Sequence, residues 1–271
     1  MTDHSAAWAE LTAELDLWAA ENRQAHFWWR DDDATKPGPA LDRLLELQTD
    51  TGTPLAVAVI PALAEADLAE RLISLPGVAA MQHGYIHDNH APAGEKKSEF
   101  PSSRPLQIRL ADIRQGQEVL AAKFAPSSLL PVFVPPWNRM AHDMLSGLAE
   151  LGFHAVSAFK PREAYWAAPG LAWLNTQLDP IDWHGGDNPA ATAACLQAAT
   201  GLLRAMRGGT VPLQPVGFLT HHLRHDTVLW SFVAAFIAAI ATHPASRWLD
   251  TAAALAIGRP TEIPPPVTRT S

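Results

Sequence analysis

Short apolar runs with a strand-like composition alternate along the chain with longer stretches that have a helical repeat. Six runs predict β-strands, at positions 26–30, 54–60, 78–82, 131–136, 154–159 and 216–221. The segments between them are rich in alanine and leucine and predict helices, at 39–48, 63–72, 106–124, 141–151 and 190–206. Such alternation is typical of a mainly parallel sheet with outer helices, either a barrel or an open sheet. The pattern therefore predicts an α/β fold.

The two ends of the chain have different patterns. Trp8, Leu11, Leu15 and Trp18 recur at helical spacing among acidic residues, which predicts an amphipathic helix rather than a signal peptide. The most apolar segment, 232–241, is about half the length needed to span a bilayer and predicts a buried helix.

The final segment, 258–271, is rich in proline and threonine and predicts a disordered tail. We therefore expect one domain, 1–257, with the helix in 1–22 packed on it, and a cytoplasmic location. One long segment, 88–105, has no regular pattern, and its length predicts a lid or a binding surface.

Composition and charge exclude several classes of function. The chain has 271 residues, is 48% hydrophobic and carries a formal net charge of -8. Its basic residues form no stripe, which argues against nucleic acid or an anionic membrane as a partner and favours small, neutral or cationic substrates. Cys195 is the single cysteine, so neither an intrachain disulfide nor a thiolate-rich metal site can form.

Polar residues follow the predicted strands at the ends where parallel α/β proteins build their sites. They are Asp31–Asp33, His83, 135–138, His221 and His222. Three adjacent carboxylates at a half-buried strand end need a cation or a proton to relieve their repulsion and desolvation. They would otherwise form a solvated turn.

A histidine pair about fifty residues later supports the cation. His83 and His87 can offer two imidazole nitrogens to one ion if the chain between them turns back, as Gly84 allows. The alternative interpretation is a polar loop with backbone-bonded imidazoles. His90 is expected to support a ligand or to face the substrate.

Five short motifs occur in the order found in the metal-dependent polysaccharide deacetylase family. They are RDDDA (30–34), HGYIH (83–87), FVPPWN (133–138), LDPIDW (178–183) and FLTHH (218–222). The chain resembles this family over roughly residues 25–225. The resemblance implies a distorted (β/α) barrel in a single domain.

The resemblance also implies a role for each matched residue. Asp32 would be the catalytic base and His221 the acid, while Asp33, His83 and His87 would bind one divalent metal ion. Zinc is the first choice, although this ligand set also accepts cobalt, nickel, manganese or iron. The residues expected to bind substrate are Pro136, Trp137, Asn138, Asp182, Trp183 and His222.

The chain departs from the family pattern in the first and third motifs. Val134 replaces the usual arginine, so the contact that tunes the base must come from elsewhere, and Arg30 and Arg139 are candidates. Ala34 replaces the glycine after the paired aspartates. Two assignments stay open: Asp31 with Asp32 is the rival aspartate pair, and His222 competes with His221 as the acid.

The function implied is that of a hydrolase that removes an acetyl or other small acyl group from an N-acylated sugar or related amide. The metal would polarise a water and the acyl oxygen, Asp32 would take the water's proton, and His221 would protonate the departing amine. The predicted partner is a carbohydrate or small N-acylated substrate, without nucleic acid or membrane. The alternatives are a cytoplasmic small-molecule amidase and a catalytically silent relative that binds metal or carbohydrate.

Overall fold

The structure, a computed structural model, describes residues 4–183, 185 and 188–262. The chain divides into two compact units. The first unit contains 1–32, 38–56 and 176–258, and the second contains 33–37, 57–175 and 259–271. Most of the predicted tail, 263–271, lies outside the described residues.

All six predicted strands and all the predicted helices are present in the structure. The strands are β1 (Ala25–Ala34), β2 (Leu55–Val59), β3 (Val78–His83), β4 (Leu129–Val134), β5 (Ala155–Val156), β6 (Trp166–Ala168), β7 (Leu171–Trp173), β8 (Val216–Thr220) and β9 (Ser246–Trp248). The α-helices are α1 (Ser5–Ala20), α2 (Pro39–Thr51), α3 (Ala66–Ile73), α4 (Leu106–Ala121), α5 (Leu145–Glu150), α6 (Asn188–Arg207), α7 (Thr227–Thr242) and α8 (Thr251–Ala256). The sequence did not predict the three-residue strands β6, β7 and β9, nor the short helix α8, because such short segments show no period.

The first unit is built on β1, which pairs in parallel with β8 on one side and β9 on the other. Its core is aromatic: the ring centroids of Phe27, Phe218, Phe236 and Trp248 lie 4.7 to 6.4 Å apart in a connected group. Phe236 belongs to α7, so the apolar segment 232–241 is a buried helix, as predicted.

The N-terminal helix α1 belongs to the same unit and packs against α6. It buries Leu11, Leu15 and Trp18, the predicted apolar face. Its buried Glu14 forms an ion pair of 2.7 Å with Arg207 at the end of α6. Among the described residues, none of the helices combines the length and apolar character needed to cross a membrane.

The second unit contains the strand order β6-β7-β5-β4-β3-β2. β3, β4, β5 and β7 pair in parallel, and β6 is antiparallel to β7. A core cluster that includes Phe100, Phe133 and Leu148 lies between these strands and helices α4 and α5. Close packing also fixes α4, because a Cβ at Gly116 would overlap the side-chain amide of Gln82 on β3.

The polar residues singled out in the sequence do follow strand ends. The three aspartates close β1, and His83 is the last residue of β3. The 135–138 segment follows β4 directly, and His221 and His222 follow β8. The segment 88–105 contains no helix or strand, as its sequence predicts, apart from one bridge that pairs Phe100 with Met140.

Candidate metal centre and the acid–histidine clusters

Asp33, His83 and His87 meet in the second unit. One potential ligand atom from each lies within 4.8 Å of the others. The Nε2 atom of His83 lies 3.1 Å from Oδ1 of Asp33, and Nε2 of His87 lies 3.4 Å from the same oxygen. Two imidazole nitrogens and a carboxylate oxygen that converge in this way form the ligand set of a catalytic transition-metal site with open positions. The donor set therefore fits a divalent ion.

The backbone fixes the orientation of the His83 ring. Its Nδ1 atom donates to the carbonyl oxygen of Val134 at 3.1 Å, because a carbonyl can only accept. In the neutral ring, Nε2 then carries a lone pair, and that lone pair faces Asp33 Oδ1. Two acceptors at this distance repel each other unless a cation or a second proton lies between them. The neutral tautomer therefore presents Nε2 in the form that a cation can bind, whereas the protonated ring would form an ion pair with Asp33.

The turn between the two histidines depends on Gly84 and Glu99. Gly84 has φ +58°, and a Cβ there would overlap the Glu99 carboxylate and the Pro136 ring. Glu99, which is buried, accepts hydrogen bonds from the backbone N–H groups of Tyr85 and Ile86 at 2.8 to 3.2 Å. Burial raises the pKa of Glu99, although these N–H groups act in the opposite direction. The 88–105 segment therefore supports residues 83–87 (the metal loop) through Glu99.

Strained backbone is concentrated at this centre. The described residues include five non-glycine residues with positive φ. Four of them belong to the candidate site motifs: Asp33 at +73°, His87 at +64°, Trp137 at +54° and Asn138 at +56°. Such conformations persist where the surrounding structure imposes them, and they cluster at functional sites. The sequence contained no signal for this strain.

Two of the predicted substrate residues in the FVPPWN motif lie against the metal loop. The Trp137 ring centroid lies 4.3 Å from that of His87. The ring of Pro136 is buried and lies beside Gly84. Asn138 follows, partly exposed, in its left-handed conformation. The structure therefore brings this motif together with the HGYIH motif.

In the first unit, Arg30 holds the carboxylate of Asp32. Its Nη2 donates to Asp32 Oδ2 at 2.9 Å, and its Nε lies 2.9 Å from Oδ1. Both side chains are almost fully buried, so this contact is well defined. Of the two arginines considered from the sequence, Arg30 contacts the aspartate. It lies two residues away on the same strand, where side chains share a face.

His221 lies near this pair. Its Nε2 is 4.0 Å from Asp32 Oδ2, beyond hydrogen-bond distance, and its side chain is largely buried. The Trp183 ring packs edge-on against the His221 ring at 4.7 Å. Trp183 is itself half exposed, and the neighbouring Asp182 is partly exposed.

A residue that the sequence analysis missed, Asp179, lies in the same group. Its Oδ2 accepts a hydrogen bond of 2.8 Å from the Trp183 indole N–H. Burial raises the pKa of Asp179, while the nearby His221 lowers it. The segment is placed by Leu178, which bonds to the backbone of β8 at Gly217 and Leu219. An Asp-Pro pair predicts a turn, and the only sequence signal was its position inside the LDPIDW motif.

Asp31 and His222 form a second acid–histidine pair. Asp31, which is fully buried, accepts from the Thr220 hydroxyl at 2.6 Å, from the His222 backbone N–H at 3.0 Å and from His222 Nδ1. Trp29 extends this network by donating to the Thr220 hydroxyl. Burial alone would raise the pKa of Asp31, but His222 and Thr220 hold it below its usual range.

The different partners of Asp31 and Asp33 bear on the two assignments that the sequence left open, namely the aspartate pair and the acid histidine. The buried Asp31 has His222 and Thr220 as partners, whereas Asp33 lies with the two histidines. Asp31 and His222 therefore form a buried, hydrogen-bonded pair (the structural pair). His222 is nearly inaccessible, and its predicted contact with substrate stays a prediction.

The fold defined by these elements is that of the polysaccharide deacetylases, as the motifs predicted. A protein from Mycobacterium smegmatis assigned as a polysaccharide deacetylase is similar over 86% of this chain and 89% of its own, with TM-score 0.63 and 14% identity. The Puue allantoinase is similar over 85% and 88%, with TM-score 0.59 and 13% identity.

A third similar structure is a family 4 carbohydrate esterase pseudoenzyme from Bacillus anthracis, matched over 86% of this chain and 66% of its own, with TM-score 0.54 and 13% identity. No family model matches the sequence, and no curated protein matches it either. The likeness therefore lies in the fold, which is shared by proteins described as a polysaccharide deacetylase, an allantoinase and a pseudoenzyme.

Proposed function

We propose that the chain is a metal-dependent hydrolase that removes an acetyl or other small acyl group from an N-acylated sugar or related amide. The observation that carries the proposal is the convergence of Asp33, His83 and His87, with the His83 tautomer turning a lone pair toward the carboxylate. The order of the five sequence motifs and the deacetylase fold support it.

One divalent ion, with zinc the first choice, would be held by these three side chains. When bound, such an ion polarises an acyl oxygen and makes a water more acidic. The protein's part is to keep the ligands in place. The Val134 carbonyl orients the His83 ring, and Glu99 holds the turn that carries His87. Trp137 packs against His87 and limits the access of solvent to it.

The motif resemblance supplies the roles proposed for the residues of the first unit. Asp32 is the general base, and the two contacts from Arg30 fix the direction in which its carboxylate points. His221 is the general acid that protonates the departing amine. Asp179 lies near His221, and the interaction between them lowers the pKa of Asp179 against the effect of burial.

The exposed faces of the predicted substrate residues suit a small hydroxylated or amide substrate. Trp183 presents a half-exposed indole, the kind of surface on which sugar rings pack. The proposed contacts are Pro136, Trp137, Asn138, Asp182 and Trp183. Hydrolysis of a small amide other than an acylated sugar is the second candidate, and the likeness to an allantoinase favours it.

Elemental analysis of the purified protein tests the metal proposal. We expect about one transition-metal ion per chain, and loss of it in the His83→Ala, His87→Ala double variant. His90→Ala is the matched control, because His90 is exposed on the same loop and lies outside the ligand group. Absence of metal in the parent protein after incubation with zinc, cobalt or manganese contradicts the proposal.

The Asp32→Asn variant separates an enzyme from a silent relative. We expect normal metal content and a loss of acetate release from N-acetylated sugars or small amides of about 10²–10⁴-fold, the usual contribution of a general base. A parent protein that holds its metal but releases no acetate from either set of compounds supports the silent relative instead.

A further inference from the structure

A cleft in the second unit lies beside the FVPPWN motif. Its volume is about 330 Å³, which is enough for part of a small molecule. Its walls come from the residues after β4, from the segment after β5 and from β7. The residues that matter for its chemistry are Asn138, Arg139, His142, Phe159, Lys160 and Trp173.

The charge of this cleft is positive. Arg139 and Lys160 line it together with His142, and none of the described lining residues is acidic. Arg139 has no carboxylate partner among the described residues; its guanidinium makes one long contact of 3.4 Å with the Lys97 carbonyl. Lys160 lies 3.7 Å from Glu163, but both side chains are largely exposed, so this pair contributes little.

The cleft also has an apolar wall. Phe159 is 41% exposed, and Trp173 is partly exposed beside His142. An aromatic wall beside two cations matches a ligand that has an apolar group and an anionic group close together.

The chain places this cleft next to the candidate metal centre. Trp137 contacts His87, and its neighbours Pro136 and Asn138 lie on either side of it in the chain. Asn138 lines the cleft and Arg139 follows it at once. The same short segment, 135–139, therefore contributes residues both to the cleft and to the surroundings of the candidate metal centre.

We infer that the cleft binds a carboxylate of the substrate, so that the substrates are small N-acyl compounds that also carry a carboxylate. This inference rests on the proposed function for the reacting group. It differs from the expectation of neutral or cationic substrates based on net charge, because the local field of the cleft is opposite in sign to the total charge.

Binding of a matched pair of probes to the full chain tests the inference: N-acetyl-L-phenylalanine, and its amide, which lacks only the carboxylate charge. Titration calorimetry is done after metal removal by a chelator, so that no metal can bind the carboxylate. We expect the acid to bind at least about tenfold more tightly than the amide. Added salt should reduce the difference, since the contacts are exposed.

The Arg139→Gln, Lys160→Gln double variant should lose this preference. Arg114→Gln, a change at an exposed arginine of α4 away from the cleft, should keep it. Equal binding of the two probes, an absence of saturable binding, or a preference that survives in the double variant overturns the inference. The binding assay needs no turnover, so its outcome is independent of whether the metal-loaded protein releases acetate.

Discussion

One run of three aspartates supplies two acid–histidine groups of opposite character. Asp31 is fully buried and is surrounded by donors: a hydroxyl, a backbone N–H and the Nδ1 of His222. Asp33 keeps 28% of its side chain exposed and is approached by the Nε2 atoms of two histidines. The first carboxylate is enclosed by hydrogen-bond donors, whereas the second belongs to a group of side chains that could hold a metal ion. The difference teaches that the ring atom facing the acid distinguishes the structural pair from the candidate metal site.

The backbone explains why neighbours in sequence differ so much. Along a strand, successive side chains point to opposite faces, so Asp31 and Asp32 separate at once. Asp33 then departs from strand geometry with φ +73°. The left-handed turn gives its carboxylate a direction that regular alternation does not provide. The histidines differ as well, because a carbonyl occupies Nδ1 of His83 while a carboxylate occupies Nδ1 of His222.

The largest expected effect comes from the aspartate of the structural pair. Asp31→Asn should lower the free energy of unfolding by about 3–5 kcal/mol, because buried partners lose their charge complement. Asp33→Asn should change it by less than about 1 kcal/mol in metal-free protein, since asparagine tolerates positive φ and the site is partly exposed. Urea unfolding in the presence of a chelator measures both values.

A milder change protects this test against a variant that does not fold. Thr220→Val removes one hydroxyl from the network and should cost about 1–2 kcal/mol. If Asp33→Asn destabilises the metal-free chain as much as Asp31→Asn does, the contrast between a structural and a metal-binding aspartate is wrong.

The second expected effect is a loss of metal affinity when the hydrogen bonds that support the metal loop are weakened. Glu99→Gln weakens the hydrogen bonds that hold Tyr85 and Ile86, so we expect metal affinity to fall by about 10–100-fold, as for other residues that orient ligands. Competition with a metal-binding dye measures the dissociation constant. The control is Glu95→Gln, an exposed acid on the same segment. A similar loss in both variants would point to bulk charge and not to the turn.

The smallest expected effect is a change in the free energy of unfolding with pH, caused by a histidine beside the structural pair. Burial lowers the pKa of His225 to about 4, and this side chain lies beside the structural pair, with Nε2 accepting weakly from the His221 backbone N–H. The unfolded chain binds a proton below about pH 6.5 while the folded chain does not, so stability falls as the pH drops through this window. Between pH 7.5 and 5.5 the loss should be about 1 kcal/mol.

The matched variant for this prediction is His225→Gln, studied in metal-free protein by urea unfolding at both values of pH. The variant should lose about 1 kcal/mol less than the parent over the same interval. An identical pH dependence in the two proteins excludes His225 as the source of the loss.

The sequence predicted features that depend on local pattern. The apolar runs predicted six strands, and the strand ends predicted where Asp33, His83 and the 135–138 segment lie. Other features depend on contacts between distant segments. Glu99 lies in the irregular segment 88–105, and its burial accompanies hydrogen bonds from backbone N–H groups more than ten residues away. The sequence left Arg30 and Arg139 as candidate partners of Asp32, and only the structure shows that Arg30 makes the contact.

The left-handed residues of the metal centre have a consequence for how this chain can change. In that conformation a residue such as histidine or tryptophan costs about 1–2 kcal/mol relative to glycine, whereas aspartate and asparagine tolerate it better. Glycine at Asp33, His87, Trp137 or Asn138 would therefore relax the backbone while it removed a ligand or its support. Selection for thermal stability alone would favour glycine at these positions. Directed evolution for stability should therefore lose the candidate metal centre early, unless metal binding is selected at the same time.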